Sequence, residues 1–138
     1  MKTSLFLLPS LLVIALSAWI PPAAIAGSET CKNVPIILTN ATPDEIKITK
    51  LEYSDLDNRQ YRTETGIFGV DGKQNLEQKK SFGRTRDLEK VNNESTQFRV
   101  TYRHRIGGDK YEPPVTQTSP KFTCRNDMKE AVKVVLTN

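Results

Sequence analysis

A two-residue alternation between positions 98 and 106 constrains the fold of this chain more than any other feature. The even positions are apolar or aromatic apart from one histidine, whereas the odd positions are polar. The even set is Phe98, Val100, Tyr102, His104 and Ile106, and the odd set is Arg99, Thr101, Arg103 and Arg105. Successive side chains of a strand point to opposite faces of its sheet. The segment is therefore predicted to be a strand with one face on a core and the other in solvent.

Shorter runs rich in β-forming residues are separated by turn residues elsewhere in the chain. They cover residues 34–39, 46–53, 60–68, 121–124 and 132–136. No segment shows the apolar period of an amphipathic helix of three turns. About seven short strands with turns between them predict an all-β fold, either a small antiparallel β-sandwich of immunoglobulin-like type or a partly open barrel.

The second of these runs changes phase halfway along. Ile46 and Ile48 occupy one phase, whereas Leu51 and Tyr53 occupy the other. An extra residue in one strand of a pair shifts the phase in this way. We therefore expect a β-bulge at residues 49–50.

The middle of the chain gives weaker signals. Asp71-Gly72 is a two-residue hairpin signal, because both residue types tolerate positive φ. The following stretch, residues 73–93, is polar and basic and fits neither the helical nor the strand period. Its structure is left open by the sequence.

The N-terminus has the layout of an export signal. Lys2 gives a positive start, residues 5–20 are almost wholly apolar, and Pro21-Pro22 ends any helix there. A retained membrane anchor is the alternative, but this apolar run of about 16 residues is shorter than the roughly 20 that a spanning helix needs. We interpret residues 1–26 as a cleavable signal peptide.

The cleavage site is predicted from the small-x-small pattern Ala24-Ile25-Ala26, which places the cut between Ala26 and Gly27. Residues 27–138 then form a single extracytoplasmic domain, periplasmic or secreted, with no transmembrane segment. Loss of Lys2 lowers the net charge of the chain from +4 to +3. Such a mild excess is not the strong basic balance of a dedicated nucleic-acid-binding protein.

Two cysteines remain in the mature domain, Cys31 near its start and Cys124 near its end. Exported proteins fold in oxidising compartments, so a Cys31–Cys124 disulfide is predicted. Closing so long a loop is worth about 4–5 kcal/mol in the chain-entropy model. The alternative is a metal pair or a reactive thiol, but two isolated cysteines and one histidine do not make a zinc site. The sequence indicates no metal and no cofactor.

His104 is the only histidine, so a hydrolase or ribonuclease mechanism would depend on it. Glu94 or Glu112 would serve as its carboxylate partner, and Arg103 and Arg105 would hold a phosphate. The phase of His104, which it shares with the apolar row, favours a structural role instead.

Two N-glycosylation sequons fall in predicted turns. They are Asn40-Ala41-Thr42 and Asn93-Glu94-Ser95. We expect both to be accessible, and they matter only in a eukaryotic host.

The three arginines of the odd phase form the one cluster whose geometry the sequence defines. Neighbouring odd positions lie about 6.5–7 Å apart on one face, so Arg103 and Arg105 are adjacent and Arg99 lies about 13 Å from Arg103. Guanidinium groups match carboxylate and phosphate, which makes this row a candidate anion-binding site. A solubilising face that prevents aggregation is the alternative.

No specific catalytic motif is present, so the sequence favours a non-enzymatic binding or accessory domain of inhibitor or envelope-adaptor type. Its expected partner is an extracytoplasmic protein or an anionic surface. The alternatives are the hydrolase centred on His104 and a lipid-surface or membrane-active protein, although no amphipathic helix supports the latter.

Overall fold

A computed structural model describes residues 29–55, 60–69 and 72–138. The predicted signal peptide, its cleavage site between Ala26 and Gly27, and Asp71 lie outside these residues. The described chain contains eleven strands and no helix. The strands are β1 (Cys31–Asn40), β2 (Ile46–Asp55), β3 (Gln60–Thr63), β4 (Gln74–Leu76), β5 (Ser81–Leu88), β6 (Ser95–Thr96), β7 (Phe98–Gly107), β8 (Lys110–Tyr111), β9 (Val115–Thr118), β10 (Phe122–Thr123) and β11 (Val132–Leu136).

Two main sheets are formed. The smaller sheet has the order β11-β1-β5, in which β1 runs parallel to β11 and antiparallel to β5. The larger sheet has the order β3-β2-β7-β8, with β4 also paired to β2 and β9 to β7. The short β6–β10 pair forms a ladder of its own, and its Thr96 hydroxyl donates a hydrogen bond to the Ser54 carbonyl of β2. The described strands form an all-β fold of mainly antiparallel sheets that do not close into a barrel, which confirms the predicted fold class of a β-sandwich or partly open barrel.

The core lies between the two sheets and draws on the inward phase of each. Its largest fully buried side chains are Val34, Ile36 and Leu38 of β1, Ile46, Ile48 and Leu51 of β2, Leu88 of β5, Phe98, Val100 and Tyr102 of β7, Leu136 of β11, and Val91 between β5 and β6. On β7 the predicted alternation holds, but burial fades along the strand. His104 is half-buried and Ile106 is 65% exposed. The core therefore ends at Tyr102.

The predicted bulge in β2 is confirmed. The pairing of β2 with β7 shifts register between Ile48 and Lys50, and the Thr49 hydroxyl donates to the Thr101 carbonyl at 3.2 Å. The extra residue turns the apolar residues on both sides of the bulge towards the core. The polar residues on both sides consequently share the outer face of the larger sheet.

The stretch that fits neither period contains β4 and β5. On β5 only Phe82 and Leu88 are buried, because the strand lies at the edge of the smaller sheet. Between them on the same phase stand Arg84, whose guanidinium lies 4.4 Å from the Phe82 ring centre, and Arg86. Because these two arginines occupy inward positions, β5 lacks the alternation of apolar and polar residues that predicts a strand.

Asp71-Gly72 was expected to form a hairpin that joins two paired strands, and this prediction is wrong. Gly72 has the positive φ of +69° that a turn needs. However, the flanking strands β3 and β4 each pair with a different part of β2 and not with each other.

The predicted disulfide between Cys31 and Cys124 is confirmed, with both residues fully buried and their Cα atoms 6.1 Å apart. It joins the start of β1 to the residue after β10. Hydrogen bonds between the same two segments surround it, such as Asn33 Nδ2 to Asp127 Oδ1 at 2.6 Å. The disulfide therefore fixes the end of the smaller sheet to the β6–β10 pair.

The two glycosylation sequons differ in accessibility. Asn40 is fully buried, and its side-chain amide donates to the carbonyls of Asp44 and Leu76 at 2.8 Å each. The expectation that it is accessible is wrong, because this amide holds the turn after β1 together. Asn93 is exposed.

Candidate anion-binding face

The outer face of the larger sheet is built from the odd phase of β7 and the residues opposite it on β2. Arg99 lies opposite Glu52, Thr101 opposite Lys50, and Arg103 opposite Lys47. The three predicted arginines do share this face, but each has different surroundings.

Arg99 is committed to a buried carboxylate. Its Nε donates to Glu52 Oε2 at 2.8 Å, while the other carboxylate oxygen of Glu52 accepts from Lys50 Nζ at 2.8 Å. The guanidinium also lies 3.6 Å from the ring centre of Tyr61, on β3. Only 6% of the Glu52 side chain is exposed. Glu52 and Tyr61 thus hold the Arg99 side chain in place.

The titration of this pair reflects its geometry. The hydrogen bond from Arg99 lowers the pKa of Glu52; burial opposes this, and the hydrogen bond from Lys50 lowers the pKa further. The same pairing raises the pKa of Arg99. Both groups therefore stay charged near neutral pH, where each satisfies the other.

Arg105 is also engaged. Its Nη1 contacts Glu45 Oε1 at 3.1 Å, and its Nε donates to the Gly108 carbonyl at 2.7 Å. This arginine closes the turn after β7 onto the start of β2. Its side chain is therefore held by the chain itself.

Arg103 differs from both of its neighbours. It is exposed, and no residue in the described part of the chain forms an ion pair with it. The residue opposite it is another cation, Lys47, whose ammonium lies 4.0 Å from the ring centre of Tyr111 on β8. Opposed residues of an antiparallel pair have Cβ atoms about 4.5–5.5 Å apart. Lys47 and Arg103 thus form a doubly positive site, which we call the Lys47–Arg103 pair.

Sequence reasoning found the arginines but missed Lys47, Glu52, Tyr61 and Tyr111. The predicted bulge in β2 could have indicated that Lys47 and Glu52 share one face, because a bulge places residues from both sides of it on the same face of the sheet. The pairing of β2 with β7 was needed to place Lys47 opposite Arg103. Nothing in the sequence gives that pairing, because 42 residues and four strands, β3 to β6, lie between the end of β2 at Asp55 and the start of β7 at Phe98.

His104 lines a separate cavity of about 320 Å³ at the end of the sandwich, together with Asp44, Arg105, Ile106, Glu112, Val115 and Asn138. The structure thus brings Glu112 and Arg105 near His104, as the hydrolase hypothesis required. Glu94 lies elsewhere, where its carbonyl accepts from the Cys124 amide at 2.9 Å.

The cavity lacks the uncommitted cation that phosphate chemistry needs. Arg105 is held by Glu45 and Gly108, and Arg103 belongs to the outer face. His104 itself packs edge-on against the Tyr102 ring, with ring centres 5.6 Å apart. This contact accords with the structural role that its phase indicates.

Within residues 29–55, 60–69 and 72–138, no group of three or more histidine, cysteine or acidic residues is placed to hold a metal ion. The same residues contain no helix long and apolar enough to cross a membrane. Comparison with known protein families, with curated proteins and with solved structures finds no match for this chain.

Proposed function

We propose that this protein is an exported, non-enzymatic binding domain that holds an anionic partner or surface through the Lys47–Arg103 pair. One observation carries the proposal. Two cations stand directly opposite each other on adjacent strands, and the described part of the chain supplies no carboxylate to either.

Like charges placed directly opposite on a sheet destabilise it. Elsewhere on the same face the chain avoids this cost by placing glutamates beside its arginines. An anion bound between Lys47 and Arg103 would remove the repulsion and gain two charge-assisted hydrogen bonds. The unpaired site therefore has a physical reason to bind carboxylate, sulfate or phosphate groups.

The support comes from rigidity as well as charge. Both residues lie in the paired backbone of the two longest strands of the larger sheet, so little backbone order is lost when an anion binds. The export signal predicted at residues 1–26 and the Cys31–Cys124 disulfide support a role outside the cytoplasm. The partner would then be a protein or a surface of that compartment.

The test compares the wild-type protein with the double variant Lys47→Glu/Arg103→Glu. Binding to heparin, to poly-glutamate and to vesicles containing phosphatidylserine is measured at about 50 and 300 mM salt, since screening weakens exposed charges. We expect the wild type to bind at least one of these probes more tightly at low salt, and the double variant to lose about tenfold or more in affinity.

The control carries the same change of charge at two exposed lysines away from the face, Lys80→Glu/Lys129→Glu. It should keep most of the wild-type affinity. Equal losses in both double variants would mean that net charge alone is responsible, and would contradict the proposed site. Preference for vesicles over soluble polyanions would identify a lipid surface as the partner.

A further inference from the structure

A groove of about 690 Å³ opens where the smaller sheet ends at β11, and none of its lining residues belongs to the Lys47–Arg103 pair. Its lining comes from two segments, one around β10 and the other at the start of β11. The lining residues are Pro120, Lys121, Phe122, Met128, Glu130, Ala131, Val132 and Lys133.

One wall of the groove is the edge of a sheet. β11 pairs with β1 on one side, and no described strand pairs with its other side. That open side is closed at the far end only, where the Thr137 amide donates to Gln117 Oε1 at 2.9 Å and Tyr102 donates to the Thr137 carbonyl. The start of β11, at Val132 and Lys133, borders the groove, and no described strand pairs with this edge of β11.

The floor of the groove is apolar and continuous with the core. Phe122 and Met128 are partly exposed there, and both pack on buried residues. The Phe122 ring stacks on that of Phe98 with centres 5.3 Å apart, so the floor is rigid. A side chain entering from outside would bury apolar surface against residues that are already in place.

The rim of the groove carries charge of mainly one sign. Lys121 and Lys133 stand on opposite walls, and no ion pair holds either of them in the described part of the chain. Glu130 is the one acidic residue of the lining. A ligand with carboxylates beside its apolar groups complements this rim.

From these three features we propose that the groove binds an extended segment of a partner protein, in which apolar residues alternate with acidic ones. The segment adds a strand to the open edge of β11, an apolar side chain enters the groove above Phe122, and carboxylates meet Lys121 and Lys133. In such strand addition, backbone hydrogen bonds give affinity and pockets for alternate side chains give specificity.

A second copy of this chain is a poorer occupant, because its own β11 (Val-Lys-Val-Val-Leu) offers no carboxylate to the two lysines. A fatty acid would fill the groove and meet one lysine, but would leave the strand edge unpaired. The open edge therefore favours a peptide.

The experiment selects strand-length peptides from a random display library on the folded, disulfide-bonded protein. The most enriched peptide is then synthesised and its affinity measured by calorimetry. We expect alternation of apolar and acidic residues in the selected peptides, and slowed amide hydrogen exchange at residues 132–135 when the peptide binds. The variant Lys121→Glu/Lys133→Glu should weaken binding about tenfold.

Two controls make the result specific. The charge-matched variant Lys80→Glu/Lys110→Glu should bind the peptide within about twofold of the wild type. The variant Lys47→Glu/Arg103→Glu should also bind it normally, so this proposal stands or fails separately from the anion-binding face.

Several results would overturn the proposal. One is that no peptide is enriched, and another is that the peptide slows exchange in a region other than β11. The proposal also fails if dodecanoate displaces the peptide and β11 shows no protection, or if the protein forms a concentration-dependent dimer that buries β11.

Discussion

The two ends of the β2–β7 ladder carry the same kind of residue in different states. At one end Arg99 is paired with a buried Glu52 and covered by Tyr61. At the other end Arg103 is exposed and stands opposite Lys47. Both arginines lie on one strand and one face, so the strand itself does not distinguish them. The difference comes from the residue that β2 places opposite each one, together with Tyr61 of β3 beside Arg99.

The charge of Arg99 is used within the fold, whereas the charge of Arg103 is available to a ligand. A buried ion pair contributes to stability only as long as both partners are present, and removing one leaves an uncompensated charge. An exposed, unpaired cation contributes nothing to stability and can even reduce it. The Arg99 end should therefore respond to mutation through stability, and the Arg103 end through binding.

The largest expected effect follows from removing the buried carboxylate. We expect Glu52→Gln to lower the free energy of unfolding by about 2 kcal/mol, because hydrogen bonds to charged groups are worth about 1.5–3 kcal/mol each. Urea unfolding measures this. The matched variant Glu45→Gln removes the partner of the more exposed Arg105 and should cost less than about 1 kcal/mol. Equal losses would remove the distinction between the two kinds of pair.

The pH dependence of the same variant gives a second, smaller effect. The folded-state pKa of Glu52 is lowered by Arg99, so its contribution is present above the unfolded pKa of about 4.3 and is lost as pH falls through the folded value. The difference in unfolding free energy between wild type and Glu52→Gln should be constant near pH 7 and shrink below about pH 4.3. A difference that stays constant down to pH 2 contradicts an ionic origin.

Arg99→Lys tests the geometry of the paired end. Lysine keeps the charge but loses the planar group that stacks on Tyr61 and donates to Glu52. We expect a loss of about 0.5–1 kcal/mol in urea unfolding, in the range of a single exposed cation–π contact. Arg103→Lys, in which no such contact is broken, should be neutral. A neutral Arg99→Lys variant would show that charge alone matters at both ends.

Much of this fold could be predicted from the sequence, and the reasons are local. The alternation of β7 and the phase change at the bulge of β2 depend on neighbouring residues, and both are confirmed. Strand β5 was not predicted, because Arg84 and Arg86 occupy inward positions of a strand that lies at an exposed edge of its sheet. The arginine row was predicted, whereas its division into a paired and an unpaired end was not, because Glu52 and Lys47 come from another strand whose register no local pattern reveals.

The smallest expected effect on stability belongs to the unpaired end. Arg103→Thr should raise the free energy of unfolding by up to about 0.5 kcal/mol, because it removes the repulsion with Lys47 and places a β-branched residue in a strand. Chemical unfolding at low salt is the measurement. Thr101→Ser, a change at the neighbouring outer position, serves as the control and should bring no gain.

Unfolding of wild type and Arg103→Thr with and without the tightest-binding polyanion tests the central claim most directly. Without the polyanion, Arg103→Thr should be the more stable protein. With the polyanion at about 100 times its dissociation constant, the wild type should gain about 2.7 kcal/mol and the variant clearly less, so that the order of stability reverses. If both proteins gain the same stability, the Lys47–Arg103 pair is not the anion-binding site and the account is wrong.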